Sequence, residues 1–210
     1  MRVAIFLNLF LRKINREFEK NFGEDMLGEE THPYGFQTFY NSREQSRCPL
    51  IPEIVRIYQD FIDKNILDDE SYAVISIRYG KRILINGSNN SKFSEIENFL
   101  EVVDYDPVKN IVLVIGPALP YRETPIHCLI QNARRGVNSI IQINSKKIFE
   151  KLNCNIQNQI EEKNNYLEYA KDILTILREN NFVMIKDKGI IVVGKNIFDS
   201  KQNLFSILKV

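Results

Sequence analysis

Residues 120–145, PYRETPIHCLIQNARRGVNSIIQINS, decide the fold. Thr124 reads as a helix N-cap and Pro125 as the first helical residue, where a missing N–H costs nothing. Ile126, Leu129, Ile130 and Ala133 recur at helical spacing and predict one buried face, with Gly136 as the stop. Val137 to Ile143 then reads as an apolar central strand whose end is Gln142-Ile143-Asn144. Side chains two apart on a strand share a face, so Gln142 and Asn144 stand side by side. Glu123 precedes the helix, where an acid is favourable on electrostatic grounds alone.

Working outward, Pro49 to Leu67 carries Leu50, Ile54, Ile57, Tyr58, Phe61 and Ile62 on one face and predicts an amphipathic helix. Tyr72–Arg78 and Lys81–Ile85 predict two strands around a Tyr79-Gly80 turn, and Ser94 with Glu97 reads as a capping box. Phe99–Val103 predicts a short strand, Asp104–Pro107 a turn, and Asn110–Ile115 a buried strand. Beyond the central stretch, Lys147–Leu152 and Asn164–Asn180 read as helices, and Phe182–Ile185 and Ile190–Val193 as strands. A helix near Ser200–Leu208 closes the chain. This order predicts an α/β layered domain over residues 49–210, with a mixed, mostly antiparallel sheet flanked by helices. Residues 1–48 read as an N-terminal extension: a helix over Met1–Phe22, then an irregular segment rich in aromatic residues. Tyr34, Phe36, Phe39 and Tyr40 in that segment pack either on their own domain or at a subunit contact.

With 210 residues and 44% hydrophobic residues, the chain can bury one substantial core. A net charge of +1 exerts no general pull on nucleic acid or an anionic membrane, and neither partner is expected. No apolar run approaches membrane-span length, and Val3–Leu11 lacks the features of a signal peptide. Cys48, Cys128 and Cys154 are far apart and form no CxxC pair, so reduced thiols in a cytoplasmic protein are expected.

Four blocks resemble the class II aldolase/adducin family, over roughly three quarters of the chain. SYAVISIR (71–78) sits where that family has a Gly-Asn-Ile-Ser-Val-Arg-like strand, and RILINGSNNSKFSEIENFLEVVD (82–104) matches its strand, Ser-Gly loop, Ser-Lys and Val-Val-Asp. PYRETPIH (120–127) is similar to its Pro-Ser-Ser-Glu-Thr-Pro-like loop, and FVMIKDKGIIVVGK (182–195) to its late strand, His-Gly turn and Val-Val-Gly strand. The resemblance implies a layered α/β fold, a homotetramer with pockets between subunits, and a zinc ion held by three histidines. At those ligand positions this chain has Gln142, Asn144 and Lys188. The spacing is kept and the donors are not: carboxamides bind zinc poorly, and an ammonium has no lone pair. No metal and no cofactor is therefore expected, and family-type zinc catalysis is not.

The resemblance also implies an acid/base role for Glu123, with Lys188 near the former metal position as its candidate catalytic partner. Lys188 then either does amine chemistry or, in its Asp-Lys-Gly turn, is solvated or paired with Glu123. Of the implied phosphate-binding residues Ser88 is retained, and Arg122 is a candidate anion contact or a surface ion pair. His127 faces either the former pocket or the helix surface, Cys128 reads as a core residue, and Tyr166 and Tyr169 as edge packing. The sequence thus predicts an aldolase/adducin-fold protein without the zinc site, used for binding or assembly. The alternative is a metal-independent lyase- or epimerase-like enzyme on a small sugar phosphate or carbonyl compound, using Glu123 and Lys188.

Overall fold

A computed structural model describes residues 27–31, 35–88, 98–153 and 158–210. Ten strands form one sheet: β1 (Leu27–Thr31), β2 (Gln37–Ser42), β3 (Tyr72–Tyr79), β4 (Arg82–Asn86), β5 (Phe99–Asp106), β6 (Ile111–Ile115), β7 (Ser139–Asn144), β8 (Gln159–Ile160), β9 (Phe182–Ile185) and β10 (Gly189–Gly194). Their order across the sheet is β1-β2-β6-β5-β4-β3-β7-β10-β9-β8. The β2–β6 and β8–β9 pairs are parallel and the other pairs antiparallel, so the expected mixed, mostly antiparallel sheet is present.

Among the described residues, five helices flank it: α1 (Ile51–Asp63), α2 (Thr124–Ala133), α3 (Lys146–Asn153), α4 (Tyr166–Leu177) and α5 (Ile197–Leu208). Strand alternation sorts the apolar residues into two cores. Val74, Ile140, Ile191 and Val193 join Ile126, Leu129 and Ile130 of α2 and Ala170, Ile173 and Leu177 of α4 in one core. Ile75, Ile141, Ile143, Ile190 and Val192 join Ile54, Ile57 and Phe61 of α1, Ile148 and Phe149 of α3, and Leu204 and Leu208 of α5 in the other. The central strands β3, β7 and β10 are thus covered on both faces, which is why they read as near-continuous apolar runs.

Three readings are corrected. The aromatic segment is not irregular: β2 lies in the sheet beside β6, with Phe36 and Tyr40 each 1% exposed in the first core. Asp104 to Asp106 continue β5 rather than turning, and the turn follows them. Thr124 is not the cap of α2; Glu123 is, with helical backbone angles and no side-chain capping bond, because the chain already coils from Tyr121, whose carbonyl accepts from the Thr124 N–H. The Met1–Phe22 helix, the Ser94–Glu97 capping box, His32 and Cys154 lie outside the described residues. Cys48 and Cys128 are free and buried, and among the described residues no helix is long and apolar enough to cross a membrane.

Candidate functional site

The site grows from a match of two periodicities. On α2, Glu123, His127 and Gln131 follow one another at intervals of four and so line one face of the helix. Four helical residues rise about 6 Å, close to the roughly 6.7 Å spanned by two strand residues. Stepping from Glu123 to His127 therefore keeps pace with stepping from Asn144 to Gln142 on β7, and the full run from Glu123 to Gln131 with Tyr72 to Ser76 on the neighbouring strand β3. Register confirms the geometry: Tyr72 lies opposite Asn144 and Val74 opposite Gln142. The face that α2 turns to the sheet is thus partly polar, and the strands supply its partners.

The resulting seam is a continuous chain of hydrogen bonds. Gln131 Nε2 donates to Ser76 Oγ at 2.9 Å, and Ser76 Oγ lies 2.8 Å from His127 Nδ1. His127 Nε2 is 3.3 Å from Gln142 Oε1. Gln142 Nε2 donates to Asn144 Oδ1 at 3.0 Å, and Asn144 Nδ2 donates to Glu123 Oε1 at 3.5 Å. Because Gln142 offers His127 an oxygen, the proton of the imidazole belongs on Nε2, and Nδ1 accepts from the Ser76 hydroxyl. Every donor in the chain then points toward Glu123. Tyr72 adds a second donor to Oε1 at 2.9 Å, with its ring stacked on Tyr121 at 5.3 Å. Glu123 Oε2, by contrast, is buried without a hydrogen-bond partner.

Burial sets the charges of these groups. Loss of solvent raises the Glu123 carboxyl above its ordinary value of 4.5, against the lowering effects of Tyr72 and Arg122. The same loss lowers His127, which is fully buried, from 6.5 to about 4, so it is neutral at pH 7. Burial and the nearby Glu123 raise the Tyr72 hydroxyl, which stays a donor. Burial likewise raises the Cys128 thiol and removes it as a nucleophile.

Beside the seam lies an ion cluster. Arg122 donates to Glu162 Oε1 at 2.7 Å, and the Lys188 ammonium pairs with Oε2 of the same carboxylate. The Lys188 turn is built by Gly189, whose φ of +148° suits glycine; a Cβ there would stand 1.9 Å from the Ile143 carbonyl oxygen. Gly189 is also the residue opposite Asn144 across β10 and β7, so one close strand approach places both seam and cluster. A cavity of about 350 Å³ opens here, with Glu123, Gln142, Arg122, Glu162 and Lys188 in its polar wall and Ile126, Ile185, Tyr166 and Tyr169 among its other lining residues.

The structure gathers Glu123, Gln142, Asn144, Arg122 and Lys188 in one place. Ser88 is not among them: it is exposed, its backbone N–H bonded to Leu119, and it does not line the cavity. Of the alternatives for Lys188, pairing with Glu123 is not what the structure has: Lys188 pairs with Glu162, which reaches both cations from the segment before α4. His127 faces the seam, not the surface. Tyr72, Ser76, Gln131 and Glu162 escape the sequence reading, although the intervals of four from Glu123 through His127 carry the signal for Gln131.

A zinc ion does not fit this donor set. Gln142 Oε1 and Asn144 Oδ1 already accept hydrogen bonds within the seam, and the Lys188 ammonium is held by Glu162. Among the described residues, no three His, Cys, Asp or Glu side chains are grouped to hold a metal ion.

At the level of sequence, no family model and no curated protein matches the chain. Solved structures do. YgbL from Klebsiella pneumoniae, a putative aldolase/epimerase/decarboxylase, superposes with a TM-score of 0.62 at 12% identity, over 76% of this chain and 85% of that one. A sugar-phosphate aldolase from Thermotoga maritima gives 0.61 at 15% identity over 76% and 90% of the two chains. The L-fuculose-1-phosphate aldolase from Thermus thermophilus gives 0.58 at 16% identity over 78% and 92%. The chain has the fold of the class II aldolases.

Proposed function

We propose that the protein is a small-molecule-binding member of this fold that works without the family's zinc. The observation that carries this reading is the cavity lined by Gln142 and Lys188, two of the three former ligand positions, whose polar atoms are held by His127, Asn144 and Glu162. A site turned over wholly to assembly has no need of such a cavity, and about 350 Å³ falls within the usual range for ligand pockets. The test is a thermal-shift panel of sugar phosphates, sugar acids and polyols on metal-free protein. A true ligand at 100 times its dissociation constant adds about 2.7 kcal/mol of stability, and a flat panel would leave assembly as the surviving role. A homo-oligomer, a tetramer on the family pattern, belongs to this proposal and is checked by light scattering.

A metal-independent lyase or epimerase is the second reading, favoured by one observation: a buried carboxyl raised toward neutrality at Glu123, beside Tyr72. Lys188 supports it less, since its ammonium is paired with Glu162. Borohydride trapping of an aldehyde or ketone on Lys188 would establish amine chemistry; absence of an adduct across a carbonyl panel would remove it.

A further inference from the structure

Two cations of the cavity wall converge on one carboxylate. Arg122 takes Glu162 Oε1 and Lys188 takes Oε2, so the pair already displays the geometry of anion it accepts: planar, two-oxygened and singly charged. All three side chains are about a quarter to a third exposed, at 33%, 27% and 36% for Arg122, Glu162 and Lys188, so solvent reaches the cluster and exchange is open to it. The same wall carries a second, independent feature. Glu123 is 8% exposed and its Oε2 has no partner, while Oε1 takes both Tyr72 and Asn144. A buried carboxyl oxygen without a partner carries a desolvation cost that a ligand can recover.

The geometry points to a small hydroxy monocarboxylate as the ligand of this cavity, its carboxylate replacing Glu162 on Arg122 and Lys188 and its hydroxyl pairing with the Glu123 carboxyl. This deepens the proposed binding function and rests on it. A hydroxyl suits Oε2 because it can donate or accept. A carboxylate suits the cations because Glu162 demonstrates the fit, and Glu162 thereby acts as a built-in competitor. Ile126, Ile185, Tyr166 and Tyr169 leave a less polar side for a short carbon chain.

Calorimetric titration with glycerate, propionate, glycerol and glycerol phosphate tests the assignment on the full chain. Glycerate is expected to bind about tenfold or more tightly than propionate or glycerol, the factor for one lost hydrogen bond or charge contact. Glu162→Gln is expected to tighten glycerate several-fold by removing the competitor, and Lys188→Met to weaken it about tenfold or more. Circular dichroism of each variant reports folding, and the gain in Glu162→Gln cannot come from misfolding. Binding of glycerol phosphate or glycerol without glycerate would overturn the hydroxy acid while leaving a binding protein. No heat from any probe, in wild type or Glu162→Gln, would overturn both.

Discussion

The buried seam and the ion cluster lie side by side, yet they hold their polar groups by different means. The inner end of the seam is sealed: Ser76, His127 and Gln131 are fully buried, and neutral side chains from Gln131 to Asn144 hydrogen-bond one to the next. The cluster of Arg122, Glu162 and Lys188 uses full charges in contact with water. A buried seam of neutral groups is costly to disturb because each broken bond strands a buried atom. A wetted ion cluster costs little to rearrange, since solvent replaces what is lost. The cavity wall thus joins a rigid, hydrogen-bonded part to an exchangeable, charged part, the division a binding site needs.

Gly189 joins the two regions, so Gly189→Ala should break both. Its Cβ would overlap the Ile143 carbonyl, and a loss of about 3 kcal/mol or more is expected in urea unfolding. His127→Ala separates them. It strands Ser76 and Gln142, and about 2–4 kcal/mol should be lost, whereas Glu162→Gln should change stability by less than about 1 kcal/mol. Equal losses from the two changes would dissolve the distinction.

Acid sharpens it further. His127 binds its proton less tightly folded than unfolded, so its contribution is intact above 6.5 and is lost as pH falls toward about 4. The expected loss is on the order of 3 kcal/mol at 1.36 kcal/mol per unit of displacement. Glu123 runs the other way: its contribution is whole below 4.5 and is lost as pH rises through its raised value. The groups facing that carboxyl are Tyr72 from β3, Arg122 beside it and Glu162 before α4, and none reverses the sign. Stability against pH in His127→Gln and Glu123→Gln should flatten on opposite sides of the optimum. Smallest of all, 1 M salt should leave the seam's contribution unchanged and weaken the Arg122–Glu162–Lys188 cluster by a few tenths of a kcal/mol.

The parts legible in the sequence are those set by local periodicity. Gln142 and Asn144 share a face because strands repeat every two residues, and Ile140 and Ile141 divide between the two cores for the same reason. The polar stripe of α2 was written at intervals of four, but apolar Ile126, Leu129 and Ile130 mask it, and a Gln and a His on a helix read as surface. β2 was hidden because its partner β6 is remote in sequence and parallel, and no hairpin signal marks such a pairing. Glu162 was hidden because its place depends on β8, two residues long, whose identity comes from pairing with β9.

Metal content tests the central claim most directly. Protein purified without chelator, dialysed against equimolar zinc and measured by atomic emission, should hold far less than one zinc per chain, with an unfolding temperature unmoved by zinc or by its removal. One zinc per chain, lost on Gln142→Ala or Asn144→Ala, would contradict the account.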